Sequence, residues 1–167
     1  MKVKDITLIG LLAAVLLILQ VALGPLPNIE VVSLLVIVYA MVFGKRVFYI
    51  LAVFAVLEGL IYGFGIWWIM YLYVWPLLAV LTLLLNKTES VWIWAVISGG
   101  FGLAFGALCA IPYAVGGGLA AGISWWISGI PFDVIHGVSN FILVLILLKP
   151  LKKLLGRLKG YCSLRDQ

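Results

Sequence analysis

The chain has 167 residues, of which 66% are hydrophobic and 10% charged, and its mean hydropathy is +1.28. A soluble domain covers its surface with about 25% charged residues, so a water-soluble globule is excluded, and no length is left for a soluble catalytic or nucleotide-binding domain. The net charge of +5 matters less as a total than through the positions of its residues.

Hydrocarbon about 30 Å thick takes about 20 apolar residues per helical pass, which predicts six passes and a single membrane domain over residues 1–167. The first helix is expected at 5–24, after Lys2 and Lys4 and before Pro25. Its uncharged stretch exceeds the about 7–15 apolar residues of a secretory leader, so it reads as a retained span. A second pass is expected at 27–44, ahead of Lys45-Arg46, and a third at 46–62, ending at Tyr62-Gly63-Phe64-Gly65. A fourth falls at 67–86 before the polar turn Asn86-Lys87-Thr88-Glu89, and a fifth at 90–113. Gly116-Gly117-Gly118 then separates the sixth, at 128–149, which opens with Pro131 in its first turn. The tail at 150–167 reads as a short basic amphipathic helix on the inner leaflet, with Leu151, Leu154, Leu155 and Leu158 as its apolar stripe. Backbone in lipid must satisfy its own hydrogen bonds, so apolar runs of this length are helices. The expected class is an all-α integral membrane protein.

Six passes put both termini on one side. All eleven Lys and Arg residues then fall on that face: Lys2, Lys4, Lys45, Arg46, Lys87, Lys149, Lys152, Lys153, Arg157, Lys159 and Arg165. The opposite face has none, so the excess of cytoplasmic Lys and Arg in membrane proteins places both termini in the cytoplasm. Cys109 and Cys162 offer neither a disulfide framework nor metal-ligand spacing.

The outer half carries Glu30, Glu58, Asp133 and His136, with no Lys or Arg beside them. A carboxylate at mid-membrane costs about 2.5–3.5 kcal/mol on insertion scales and faces a cavity, a partner or water. In the sixth helix Asp133, His136, Gly137 and Asn140 stand at i, i+3, i+4 and i+7, one face over two turns. That face is either the wall of a polar pocket or buried glue in which Asp133, His136 and Asn140 bond one another. Glu58 and Tyr62 are four apart on the third helix, and Trp68, Tyr71 and Trp75 follow at helical spacing, with Trp125 and Trp126 ahead of the sixth. Aromatic rings with a few hydrogen-bonding groups suit a flat heterocycle, although Trp and Tyr also belt the membrane interface. Ser98, Gly102, Gly106 and Ala110, at intervals of four, allow close approach of another helix. Gly10 and Ala14 form a shorter small-residue face on the first helix.

There is no phosphate-binding Gly-rich loop with Lys, so the chain cannot use ATP by itself. No Gly-x-Ser-x-Gly turn, His-Glu-x-x-His or Cys-x-x-Cys is present. Enzyme chemistry, a metal and a cofactor are therefore not expected.

Several stretches are similar to the substrate-binding (S) component of energy-coupling factor (ECF) transporters: Leu26-Pro27-Asn28-Ile29-Glu30, Val42-Phe43-Gly44-Lys45-Arg46, Ile130-Pro131-Phe132-Asp133-Val134-Ile135-His136-Gly137 and Lys149-Pro150-Leu151. The resemblance implies an S-component-like bundle in the cell membrane of a bacterium. It also implies capture of a vitamin-like micronutrient from outside, and assembly with a membrane coupling (T) subunit and two cytosolic ATPases that power import. Where that family has Ala-x-x-x-Ala for docking the coupling subunit, this chain has Gly10 and Ala14. On this reading Glu58, Asp133, His136 and Asn140 recognise polar groups, Tyr62, Trp68, Tyr71 and Trp125 stack, and Asn28 and Glu30 form a lid contact. The acids favour a neutral or cationic heterocycle over an anionic vitamin, which would meet Arg or Lys. The competing expectations are an assembly protein that binds no solute and a stand-alone channel or carrier.

Overall fold

A computed structural model describes residues 3–164, with side chains described for 3–159; Lys2, Arg165 and the Cys162 side chain lie outside what is described. Every regular element among the described residues is helical: α1 (Val3–Leu23), α2 (Val32–Phe43), a 3-10 turn (Gly44–Arg46), α3 (Val47–Tyr62), α4 (Ile66–Tyr71), α5 (Val74–Leu84), α6 (Val91–Cys109), α7 (Ile111–Gly117) and α8 (Leu119–Leu164). Five stretches are long and apolar enough to cross a membrane: Val3–Leu23, Val32–Tyr62, Ile66–Leu84, Val91–Gly117 and Leu119–Lys159. The chain is thus all-α and has the helices of a multi-pass membrane protein.

The expected second and third passes fall in one of these stretches, which is broken at Gly44. That residue has φ 61 and ψ −138, backbone open to glycine and strained for any other residue. α2 starts at Val32 and not at 27, because Asn28 sits at φ 55, a left-handed conformation that a right-handed helix cannot include. The expected fourth helix is two pieces, α4 and α5. They meet at a tight turn where Leu72 N–H reaches Ile69 and Tyr73 N–H reaches Met70, both i→i−3. The fifth ends at Cys109, and Pro112 stands in the first turn of α7.

The largest difference lies in the sixth helix and the tail. They form one 46-residue helix that starts just after Gly118 (φ 84) and contains Pro131 and Pro150. Nothing between Gly118 and Pro131 breaks the helix, so Pro131 is interior, not N-terminal, and Trp125 and Trp126 lie on helix, not on a loop. The tail is continuous with α8 and is no separate interfacial helix.

α2 sits at the centre, with every residue from Val32 to Phe43 buried except Met41, as expected of a helix apolar all round. Its neighbours fix chain direction. Tyr39 Oη donates to Leu12 O of α1 at 3.4 Å, and Lys159 Nζ donates to Val42 O at 2.6 Å. Arg46 pairs with Asp5 at 2.9 Å. α6 and α8 pack backbone to backbone: a Cβ on Gly99 would meet Gly137 O and Phe141 Cβ, each at 3.2 Å, and one on Gly102 would meet Gly137 N at 2.8 Å. The small-residue register read on α6 therefore serves a helix of the same chain.

Candidate functional site

The α6–α8 seam delivers the polar residues of α8 to the interior. Asp133, His136 and Asn140 share one face of that helix, and all three are buried. They do not bond one another. Asp133 Oδ1 accepts the Gly106 N–H at 2.9 Å, in the place where a side chain on residue 106 would stand. His136 Nε2 meets Glu30 Oε1 at 3.0 Å. The expected glue among the three is thus absent, and Glu30 is paired where an unpaired acid was expected.

Glu30 belongs to the α1–α2 segment, which is strapped to α8 at two points. Beside the ion pair, Ser139 Oγ donates to Asn28 O at 3.1 Å. The second Glu30 oxygen accepts the Ser33 N–H at 2.8 Å, at the start of α2. Burial raises the Glu30 carboxyl, but the hydrogen bond and charge of His136 and the Ser33 N–H outweigh it and hold the group below its ordinary value. Asn28 and Glu30 thus fasten the α1–α2 segment to α8.

Aromatic contacts close a circuit from His136 back to Glu30. The His136 ring stands edge to face on Phe105 at 4.7 Å between centroids, Phe105 lies 5.5 Å from Trp75, and Trp75 lies 5.9 Å from Tyr71. Tyr71 Oη is hydrogen-bonded to Gln20 Nε2 at 2.6 Å, and it lies within Coulombic reach of both Glu58 and Glu30. Residues of α1, α3, α4, α5, α6 and α8 and of the α1–α2 segment thus surround one interior region.

That region holds polar atoms without partners. Ser33 Oγ, Glu58 Oε1, Trp75 Nε1, Ser98 Oγ, Asp133 Oδ2, His136 Nδ1 and both amide atoms of Asn140 are buried and unbonded. Each of these residues is more than nine-tenths buried. A buried donor or acceptor left unmade costs about 1–3 kcal/mol, and folded proteins leave few of them. Eight such atoms stand among the described residues.

Other expected contacts fall elsewhere. Tyr62, the last residue of α3, is 54% exposed and stands edge to face against Trp67, whereas Glu58 is buried. Trp68 is held by its own neighbours, Nε1 donating to Ala55 O at 2.7 Å and the ring standing against Phe64. Trp125 stacks on Tyr113 at 4.8 Å, outside the circuit. Among the rings expected to stack, Tyr71 joins the series that runs through Trp75 and Phe105 to His136. On α1, Gly10 and Ala14 are half-buried, and nothing lies within 4 Å of where a Gly10 Cβ would stand. A separate cavity of about 270 Å³ between α6, α7 and α8 is walled by residues such as Ala110, Ala114, Ile123 and Trp126, with no polar side chain.

No family model, curated protein or solved structure matches this chain.

Proposed function

We propose that the chain is the solute-capturing subunit of a multi-component importer, similar to the S component of ECF transporters. It takes a water-soluble, neutral or cationic heterocyclic micronutrient from outside. The observation that carries this reading is the set of eight buried, unbonded polar atoms among the described residues, together with the ring series Tyr71, Trp75, Phe105 and His136. A solute with donors of its own satisfies the free oxygens of Glu58 and Asp133, and no buried Lys or Arg among the described residues competes for them.

The topology that goes with this reading has six passes and two cytoplasmic termini. Two facts support it. α2 begins beside the Glu30–His136 pair and ends where Lys159 reaches Val42, whereas α3 begins beside Asp5, so the chain reverses at Gly44. The basic residues then gather at the end of the bundle opposite Glu30 and His136, the cytoplasmic end. Energy comes from outside the chain, through a membrane coupling subunit and two cytosolic ATPases. The open small-residue face at Gly10 and Ala14 is the docking surface for the coupling subunit. The chain itself is no enzyme, and it works in the plasma membrane.

A second reading has its own support: the Glu30–His136 pair and the Asp133–Gly106 hydrogen bond tie elements together as an assembly protein's polar contacts would. Purification in mild detergent followed by mass spectrometry of the released small molecules separates the two. A heterocyclic solute retained in stoichiometric amount is the expected result, and a protein stable yet empty from every source rejects capture.

A further inference from the structure

The unbonded atoms lie at two depths, and the deeper one has a definite chemistry. Along the α6–α8 seam Gly106 faces Asp133, Gly102 faces Gly137 and Gly99 faces Phe141. In this antiparallel register Ser98 falls level with Asn140. On the other side, the Ser33 N–H binds the Glu30 carboxylate that pairs with His136, so Ser33 stands at the level of that pair. Asn140 lies one turn beyond His136 on the same face of α8, with Ser98 across the seam. At that depth Asn140 offers a complete amide, Nδ2 and Oδ1 both unbonded, and the Ser98 hydroxyl is unbonded as well.

An amide in which both atoms are free pairs best with a neighbouring donor and acceptor on one ring edge, as Asn pairs bidentately with adenine. Asp133 Oδ2 lies two turns away on the same face, about 10 Å along the helix, and only accepts hydrogen bonds when ionised. Between them run His136 Nδ1 and the Phe105 ring, with Trp75 beyond Phe105.

We propose that the site takes a planar nitrogen heterocycle carrying a lactam edge, an N–H beside a C=O. Asn140 reads that edge with Ser98, and Asp133 takes an amino or other donor group at the opposite end. This inference rests on the capture reading and narrows it to a substrate class. Site-built hydrogen bonds reject an analogue that lacks the matching groups far more strongly than apolar contact does, since the buried polar atoms are then left unpaired.

The test is binding to the purified protein in detergent, followed by tryptophan fluorescence. Hypoxanthine, guanine and isocytosine carry the paired edge. Purine and benzimidazole are flat rings without a lactam, and nicotinate and pantothenate are anionic solutes. At least one lactam probe is expected to bind at least tenfold more tightly than the rings without the edge. That preference falls below threefold in Asn140→Leu, while Ser98→Ala, a smaller change on the same layer, gives an intermediate loss. Tighter binding of purine, benzimidazole or an anion, or an unchanged preference in both variants, overturns the substrate class and leaves capture standing. If no probe binds and no solute is retained on purification, both the class and capture are wrong.

Discussion

His136 and Glu30, 106 positions apart in the chain, meet at 3.0 Å across the mouth of the buried polar site. The pair ties the α1–α2 segment to α8 and fills one nitrogen of the imidazole while leaving the other, Nδ1, free inside. One residue thus holds the α1–α2 segment with one ring nitrogen and leaves the other unbonded in the interior.

The strap responds to acid in a defined direction. Glu30 is held below its ordinary value of 4.5, so its contribution is fully present above that value and is lost as the pH falls through the lowered one. Glu30→Gln removes this dependence. Thermal unfolding of the two proteins in detergent, compared from neutral pH down to acid, is expected to differ most at neutral pH and to converge in acid. Curves that stay parallel would show that the carboxylate adds nothing there.

The acids of the site are expected to serve binding more than folding. Glu58→Gln and Asp133→Asn keep size and, at Asp133, an oxygen for the Gly106 N–H. Each should weaken solute binding at least tenfold while the melting temperature changes little. Equal affinity in both variants would remove these side chains from the site.

The α6–α8 seam has no room to spare. Gly102→Ala places a methyl against the backbone of Gly137, and overpacking of this kind costs about 1–3 kcal/mol. Gly100→Ala, where nothing lies within 4 Å, is the matched control. Thermal melting of the first should fall well below that of the second; equal melting would mean the seam opens freely.

Much of the architecture could be read from the apolar runs, because hydrocarbon imposes helices of known length. Boundaries were harder to read. Pro131 looked like a helix start because proline favours the first turn, but the preceding turns had already formed from Leu119, and packing against α6 carries α8 through it. The face of Asp133, His136 and Asn140 followed from spacing alone, since i, i+3 and i+7 share a side in any helix. Tyr62 shares a helical face with Glu58 by spacing, yet it ends α3 and is exposed. Ser33 and Ser98 went unrecognised because hydroxyls and small residues serve helix packing as readily as ligands. The Glu30–His136 pair joins residues too far apart in sequence for spacing to reveal.

Topology has a discriminating position at the Asn86–Glu89 turn. With the reversal at Gly44 this turn faces the cytoplasm; with Val32–Tyr62 as one pass it faces outward. In a Cys162→Ser background, Thr88→Cys is expected to react with an impermeant maleimide in inverted vesicles and not in intact cells. The opposite pattern would establish five passes.

The central claim is that the buried polar atoms of Glu58, Asp133, His136 and Asn140 enclose a guest. Native mass spectrometry of the protein released from detergent measures this most directly. The prediction is one small-molecule adduct per 18.3 kDa chain, lost in Asp133→Asn and in Asn140→Leu. A bare chain, or an adduct that persists unchanged in both variants, would contradict it.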